Sequence, residues 1–202
     1  MRNPASWHAY RTRVRTVLSI RIEQPIAKIF HSLGFSPNAL TILGLGISLI
    51  ASYLIYDGYF MLGGITVLVA SFMDLIDGSL ARLQNKTNET GALLDSICDR
   101  ISELSILFGL FLFYLGVGAF TETALIFLAL GGSFMVSYIR ARGEGLGVDC
   151  NVGVMTRPER VLLIAMGLLI DQVLMAMLAI VLLTCVTSIQ RFWYVYQALK
   201  GK

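Results

Sequence analysis

The chain has 202 residues, of which 56% are hydrophobic and only 14% carry a charge, and its mean hydropathy is +0.73. A composition this apolar is typical of a multi-pass membrane protein and excludes an ordinary soluble domain. The formal net charge of +3 does not require a nucleic-acid partner, because anionic membrane lipids attract basic segments beside membrane spans.

The N-terminal segment is predicted to form an amphipathic helix in the membrane interface. Residues 8–33 place apolar side chains at mostly helical spacing, with basic side chains between them. This pattern is typical of an interfacial helix, in which Pro25 is a candidate kink. We therefore assign residues 1–36 to a cytoplasmic N-terminus that contains this helix, and residues 37–202 to one membrane domain.

Six membrane spans are predicted in that domain. Five uncharged stretches approach the ~20 residues that a membrane-spanning helix needs. They are residues 38–56, 58–73, 104–121, 123–139 and 172–190. The remaining span, fifth in chain order, is the short run 161–170, extended from Pro158 to Asp171 because proline is tolerated in a first helical turn. The sequence thus predicts an all-α integral membrane protein with six transmembrane helices.

The basic residues predict the orientation. All 16 Lys and Arg residues lie before the first span, around the second and third spans, between the fourth and fifth, or at the end of the chain. With six crossings these positions share one side, and the opposite turns near Asp57, Glu122 and Asp171 carry none. Because such basic loops mark the cytoplasmic side, both termini and the charged loops are predicted to be cytoplasmic.

A cluster of acids follows the second span. Along that helix the motif residues fall at i, i+3, i+4, i+7 and i+8, and along the third span at i, i+4 and i+8, so each set shares one helical face. The residues are Asp74, Asp77, Gly78, Ala81 and Arg82, then Gly91, Asp95 and Asp99. Two acidic stripes are therefore predicted to meet across a hairpin.

These carboxylates predict a metal site. Acids at a membrane edge are costly and need partners there. Four carboxylates without interleaved His or Cys form a hard oxygen site that suits Mg²⁺ or Mn²⁺, can hold two ions and argues against zinc. Gly78 and Ala81 remove bulk on the same face, and Arg82 offers a fork for phosphate.

Structural ion pairing and transport are the alternative interpretations of these acids. Buried salt bridges with Arg82 and Arg100 explain any one pair but not all four carboxylates. Ion or proton transport is the more serious rival, because carboxylate relays mark transport pathways. Against it, the acids cluster at one rim, and no span has the interrupted pattern of a midplane transport site.

The whole segment resembles the signature of the CDP-alcohol phosphatidyltransferase family, D-x-x-D-G-x-x-A-R, eight residues, then G-x-x-x-D-x-x-x-D. The resemblance implies six spans around a polar cytoplasmic cavity and transfer from a CDP-linked lipid with release of CMP. It also implies that Asp74, Asp77 and Asp95 bind metal, while Asp99 touches a metal and acts as general base. A homodimer is a further family expectation.

The resemblance also implies a set of residues around the CDP moiety. They are Asn38, Ala39, Leu40, Thr41, Gly78, Ala81, Arg82 and Asn88. For Ser36–Pro37–Asn38, helix capping is an equally good interpretation, since Ser and Pro are ordinary helix start signals. The two roles are compatible.

The segment between the fourth and fifth spans is the other dense basic region. Together with the end of the sixth span it supplies five arginines, whose forks suit a phosphate monoester on the acceptor. They are Arg140, Arg142, Arg157, Arg160 and Arg191. Anchoring on the cytoplasmic side is the alternative interpretation of these charges.

This segment resembles the SYIKARAE…RPER pattern of the phosphatidylinositol phosphate synthase branch of the family, and it lacks the G-K-x-K-T pattern of phosphatidylglycerol phosphate synthases. Arg140 stands where the branch usually has Lys, and residues 88–90 and 149–152 also depart from it. The resemblance implies 1D-myo-inositol 3-phosphate as acceptor and CDP-diacylglycerol or its archaeal equivalent as donor. Glycerol 3-phosphate, serine and free inositol are alternative acceptors, and a divalent-metal transporter is the alternative of another class.

Overall fold

The computed structural model describes residues 23–84 and 88–201, and this part of the chain is helical without strands. It contains seven helices: α1 Gln24–Ser32, α2 Pro37–Tyr56, α3 Phe60–Leu83, α4 Glu89–Gly116, α5 Phe120–Gly145, α6 Arg157–Leu169 and α7 Val173–Lys200. The predicted all-α class is confirmed for the described residues. Of the predicted interfacial helix, residues 8–22 lie outside them, and Pro25 occupies the first turn of α1.

Four helices, α2, α3, α5 and α7, are long and apolar enough to cross a membrane. α6 has 13 residues, which at ~1.5 Å per residue gives about 20 Å against a hydrocarbon core of ~30 Å. α4 is long, but Asp99, Arg100 and Glu103 lie beside its apolar half. The chain is a membrane protein, with four of the six predicted spans meeting these criteria in the described residues.

The turn before α5 corrects two predicted boundaries. The charge of Glu122 separates the predicted spans 104–121 and 123–139, but α4 ends at Gly116 and Glu122 lies in the first turn of α5. The chain turns at Gly118, whose φ is 75°. A left-handed residue of this kind ends a helix whatever the neighbouring charges, and glycine adopts it without steric penalty.

The described residues form two compact units, of which the first comprises the chain up to Gly46 and Ala70–Asp99. Its apolar core joins Ala27 of α1, Leu40 of α2, and Ile76 and Leu80 of α3. Since Ile76 and Leu80 alternate with the motif residues along α3, this core fixes the rotation of the helix that carries the first acids.

The second unit comprises Ile47–Val69 and Arg100–Lys202 and contains a larger apolar core. Within it α7 packs against both α5 and α6. α6 begins with a capping box, in which the Thr156 N–H donates to Glu159 Oε2 at 2.9 Å, and Pro158 lies in its first turn as predicted.

A buried ion pair joins α4 to α6 inside the second unit. Arg160 is 1% exposed and Glu103 5% exposed. Arg160 Nε donates to Glu103 Oε1 at 2.6 Å, and NH2 donates to Oε2 at 2.7 Å. Such a bidentate pair satisfies both charges internally, and removing either partner strands the other in apolar surroundings.

We expect Glu103→Leu and Arg160→Met each to destabilise the protein by about 3–5 kcal/mol, because each leaves one uncompensated buried charge. The double variant should recover much of that loss. The apparent unfolding temperatures of the two single variants and the double variant, measured in detergent, test this coupling. Arg140→Met, which removes an exposed pair with Glu144, is the control and should change stability by less than about 1 kcal/mol. A double variant as unstable as the sum of the single ones would contradict the coupling.

Candidate metal and phosphate site

Three of the four motif carboxylates come together in the first unit. Asp74 of α3 and Asp95 and Asp99 of α4 each offer an oxygen, and these oxygens lie within 4.8 Å of one another. Opposite ligands of an octahedral ion with bonds of ~2.1 Å are about 4.2 Å apart, so one divalent ion can reach all three with small side-chain movements. The all-oxygen donor set fits Mg²⁺ or Mn²⁺.

Asp77 lies outside this group of three. Its side chain is buried, and Oδ2 accepts a hydrogen bond of 2.7 Å from Thr41 Oγ1. Thr41 is itself a predicted contact of the CDP moiety, so the structure connects two predicted site residues, one on α2 and one on α3. A role of Asp77 as a metal ligand stays a prediction.

Two predicted asparagines converge on Gly91 of the motif. Asn88 Oδ1 accepts a hydrogen bond of 2.7 Å from the Gly91 N–H, the arrangement of a helix cap at the start of α4. A Cβ at Gly91 would lie 2.8 Å from this oxygen and 3.5 Å from Asn38 Oδ1. The absence of a side chain at Gly91 therefore lets the Asn88 amide approach the start of α4, while Asn38 lies at ordinary contact distance.

The start of α2 supports the capping role of Ser36. Ser36 Oγ accepts a hydrogen bond of 3.2 Å from the Ala39 N–H, and Pro37 is the first residue of the helix. Asn38 and Ala39 are exposed. Leu40, in contrast, is fully buried in the apolar core of the first unit, so we correct its predicted ligand contact to a packing role.

Arg82 lies beside the glycine of its motif. A Cβ added to Gly78 would be 3.6 Å from Arg82 NH1. NH2 donates to Ser79 Oγ at 2.7 Å and lies 3.5 Å from Glu23 Oε2. The sequence patterns did not predict Ser79 and Glu23 as part of this site. Glu23 could have been singled out because it is the only acidic residue among the first 56 residues of the sequence.

The arginines of the second unit differ in how they are used. Both ends of the Arg160 fork are bound to Glu103 in the core, which leaves this guanidinium no exposed surface for an acceptor. We therefore correct the prediction for Arg160 from ligand binding to structural pairing. Arg140 pairs with Glu144 at 2.8 Å on the exposed surface of α5. Arg142 is exposed, and Arg157 is half-buried at the start of α6.

Arg191 holds the segment between α5 and α6. Its side chain is buried; Nε donates to the Val152 carbonyl at 2.9 Å and NH1 to the Val136 carbonyl at 2.7 Å. One turn earlier on α7, Thr187 Oγ1 accepts from the Met155 N–H at 3.0 Å. Two of the three guanidinium nitrogens thus bind backbone, which gives Arg191 a structural role beside its predicted acceptor contact.

Comparison with known proteins identifies the family of this chain. A model of the CDP-alcohol phosphatidyltransferase family matches residues 35–190. The chain is 40% identical over 184 residues to the archaetidylinositol phosphate synthase of Pyrococcus horikoshii. The aligned region covers 89% of this chain and 94% of that relative.

Two solved structures of a related synthase resemble the fold of this chain. The phosphatidylinositol phosphate synthase of Mycobacterium tuberculosis with CDP-DAG bound has a TM-score of 0.81 at 28% identity, over 87% of this chain and 94% of that one. The same enzyme in complex with manganese and citrate has a TM-score of 0.80 at 27% identity, over 87% of this chain and 89% of that one. The fold of this chain therefore has counterparts among solved structures.

The contact between α7 and residues 146–156 leads to a stability prediction at Gly153. Its φ is 124°, and a Cβ there would lie 2.6 Å from Thr187 Cγ2. Backbone strain of about 1–3 kcal/mol and this clash should lower the apparent unfolding temperature of Gly153→Ala by at least about 4 °C.

Gly145→Ala is the matched control. Gly145 ends α5, and a Cβ there would have no heavy atom within 4 Å. Because alanine is the better helix former, its unfolding temperature should be unchanged or slightly raised. Equal shifts of the unfolding temperature in both variants would contradict a stabilising contact between α7 and residues 146–156.

Proposed function

Since this chain belongs to the CDP-alcohol phosphatidyltransferase family, we propose that it is a phosphatidylinositol phosphate synthase. It transfers a phosphatidyl-type group from a CDP-lipid to 1D-myo-inositol 3-phosphate and releases CMP. The observation that carries this proposal is the convergence of Asp74, Asp95 and Asp99 from the two halves of the family motif. The synthases among the relatives and solved structures support the choice of reaction.

Divalent metal use follows from the same carboxylates and from the manganese complex of the structural neighbour. We propose Mg²⁺ or Mn²⁺, as two ions, with Asp74, Asp77, Asp95 and Asp99 as ligands. Metal bound there would neutralise the diphosphate of the donor and the charge that develops on the departing CMP. The protein itself contributes the placement of four acids on two helices, of which α3 is packed in the apolar core and α4 is capped by Asn88.

Asp99 is the proposed general base. It accepts the proton of the acceptor hydroxyl while the new oxygen–phosphorus bond forms to the lipid-linked phosphate and the bond to CMP breaks. Arg82 and the small residues Gly78 and Ala81 receive the diphosphate. Asn38, Ala39, Thr41 and Asn88 are the proposed nucleotide contacts, supported by the convergence of the two asparagines on Gly91.

Arg140, Arg142 and Arg157 are the proposed acceptor contacts, with Arg191 contributing from its buried position. Their forks suit a phosphate monoester, and Arg140 and Arg142 are exposed. Because Arg140 pairs with Glu144 at 2.8 Å, binding of an acceptor phosphate to Arg140 would replace one partner with another.

The membrane arrangement is also part of this proposal. α4 and α6 cross together with the four apolar helices, which gives six spans, and residues 1–36 form the interfacial segment ahead of a domain at 37–202. Both termini and the active site face the cytoplasm, and the protein is a homodimer. Relatives with archaetidyl and phosphatidyl names support either donor lipid.

The reaction is tested with purified protein, Mg²⁺ or Mn²⁺, CDP-diacylglycerol or its diether analogue, and each acceptor in turn, with CMP release measured. Inositol 3-phosphate should give the fastest release, and a chelator should abolish it. Asp99→Asn should lower kcat by about 10²- to 10⁴-fold, the usual contribution of a general base. Asp57→Asn, an acid in the turn after α2, is the matched control. If no acceptor gives CMP release, the proposed enzymatic activity is refuted. Metal flux without CMP release would favour the alternative of a divalent-metal transporter.

Acceptor recognition is tested separately. Arg142→Gln and Arg157→Gln should each raise the KM for inositol phosphate about 10- to 100-fold, since a charge-assisted hydrogen bond contributes about 1.5–3 kcal/mol. The KM for the CDP-lipid should stay within about twofold, because these residues do not contact the donor. Lys200→Gln removes a charge at the end of α7 and is the control. Equal changes in both KM values would instead favour a role in membrane anchoring.

A further inference from the structure

A chain of polar contacts connects the start of α1 to the motif arginine inside the first unit. Glu23 is 7% exposed and Ser79 is 4% exposed. Ser79 Oγ donates to Glu23 Oε2 at 2.7 Å and accepts from Arg82 NH2 at 2.7 Å. NH2 is also 3.5 Å from the same carboxylate oxygen. A carboxylate this buried requires such partners.

The direction of these bonds depends on Glu23. A serine hydroxyl has one hydrogen and two lone pairs. Because the ionised Glu23 can only accept, the Ser79 hydrogen points toward it and the lone pairs are left for Arg82. Without the carboxylate the hydroxyl could rotate, and its acceptor side would no longer be aimed at NH2.

Within the described residues, Arg82 keeps donors beyond its contacts with Ser79 and Glu23. Its side chain is 59% exposed, and NH1 lies beside Gly78, 3.6 Å from where a Cβ would be. A guanidinium carries five N–H donors, and among the described residues Ser79 takes one of them. Fixing NH2 at the buried edge therefore orients the remaining donors next to the small residues of the motif.

The helix that follows Glu23 is held in place by packing. Ala27, one turn further along α1, is buried against Leu40 and Leu80. Gln84 Nε2 donates to the Phe35 carbonyl at 2.9 Å, which ties the end of α3 to the link between α1 and α2. These contacts fix α1 against α3 without any ligand, and the hydrogen bond from Ser79 Oγ holds the Glu23 carboxylate beside Arg82.

We propose that Glu23 and Ser79 are positioning residues for the donor substrate, which hold the Arg82 guanidinium in the orientation that receives a diphosphate. The inference rests on the proposed function, in which Arg82 binds the diphosphate of the CDP-lipid. Ordering a long side chain before the substrate arrives removes an entropic penalty from binding. α1 thus contributes to substrate affinity as well as to attachment at the membrane.

Kinetics of CMP release test this role with Glu23→Gln and Ser79→Ala. Each should raise the KM for the CDP-lipid about three- to tenfold, the range expected for ordering one flexible side chain. kcat and the acceptor KM should stay within about twofold. Ser79→Thr, which retains the hydroxyl, should restore much of the affinity, and Glu89→Gln, an exposed acid in the first turn of α4, should have no effect.

A double-variant cycle distinguishes positioning from general damage. With Arg82→Ala in place, adding Glu23→Gln should raise the KM no further, since the group to be positioned is gone. Independent structural losses would multiply instead, and that result would overturn the inference. An unchanged or lower KM in Glu23→Gln alone would overturn it as well.

Binding of CDP, measured by calorimetry with Mn²⁺ present, tests the orientation without turnover. Glu23→Gln should weaken CDP binding about three- to tenfold, and equal affinity would refute the positioning role. A wild-type protein that binds CDP but releases no CMP would contradict the proposed reaction alone. An active wild type whose CDP affinity ignores Glu23 would contradict the further inference alone.

Discussion

Mutual repulsion among carboxylates is the constraint on which the first unit depends. Asp74, Asp95 and Asp99 bring oxygens within 4.8 Å of one another, an arrangement that costs free energy unless positive charge is nearby. Neighbouring residues hold the three carboxylates in this arrangement. Apolar packing of Leu40, Ile76 and Leu80 fixes α2 and α3, and the Asn88 cap fixes the start of α4. The acids are therefore preorganised by neighbours, and a divalent ion is the partner that their geometry suits.

The need to satisfy buried charge also explains why two of the five predicted acceptor arginines, Arg160 and Arg191, have structural partners in the second unit. A buried guanidinium must direct its donors to nearby acceptors. Arg160 does so with Glu103, and Arg191 with the carbonyls of Val136 and Val152. In the proposed function, acceptor recognition therefore rests mainly on arginines near helix ends. Arg140, Arg142 and Arg157 occupy such positions.

The periodicity of the sequence predicts which residues share a helical face within a few turns. The four-residue spacing of Asp95 and Asp99 places both on one face of α4, and the start signals of α2 and α6 are recognisable from Ser36 and Pro158. Contacts between distant residues are not recognisable, since one sequence contains no pairing information: Ser79 and Glu23 are 56 positions apart. The predicted end of α4 is wrong because a glycine with positive φ ends the helix, whereas the predicted boundary follows charge.

The residues proposed for donor recognition and for acceptor recognition lie in different parts of the chain. The proposed metal-binding acids, the Arg82 network and α1 belong to the first unit, whereas the proposed acceptor arginines belong to the second. The apolar core of the first unit comes from α1, α2 and α3. The family motif therefore identifies the transfer chemistry, while the acceptor must be inferred from the chemistry of residues outside the motif.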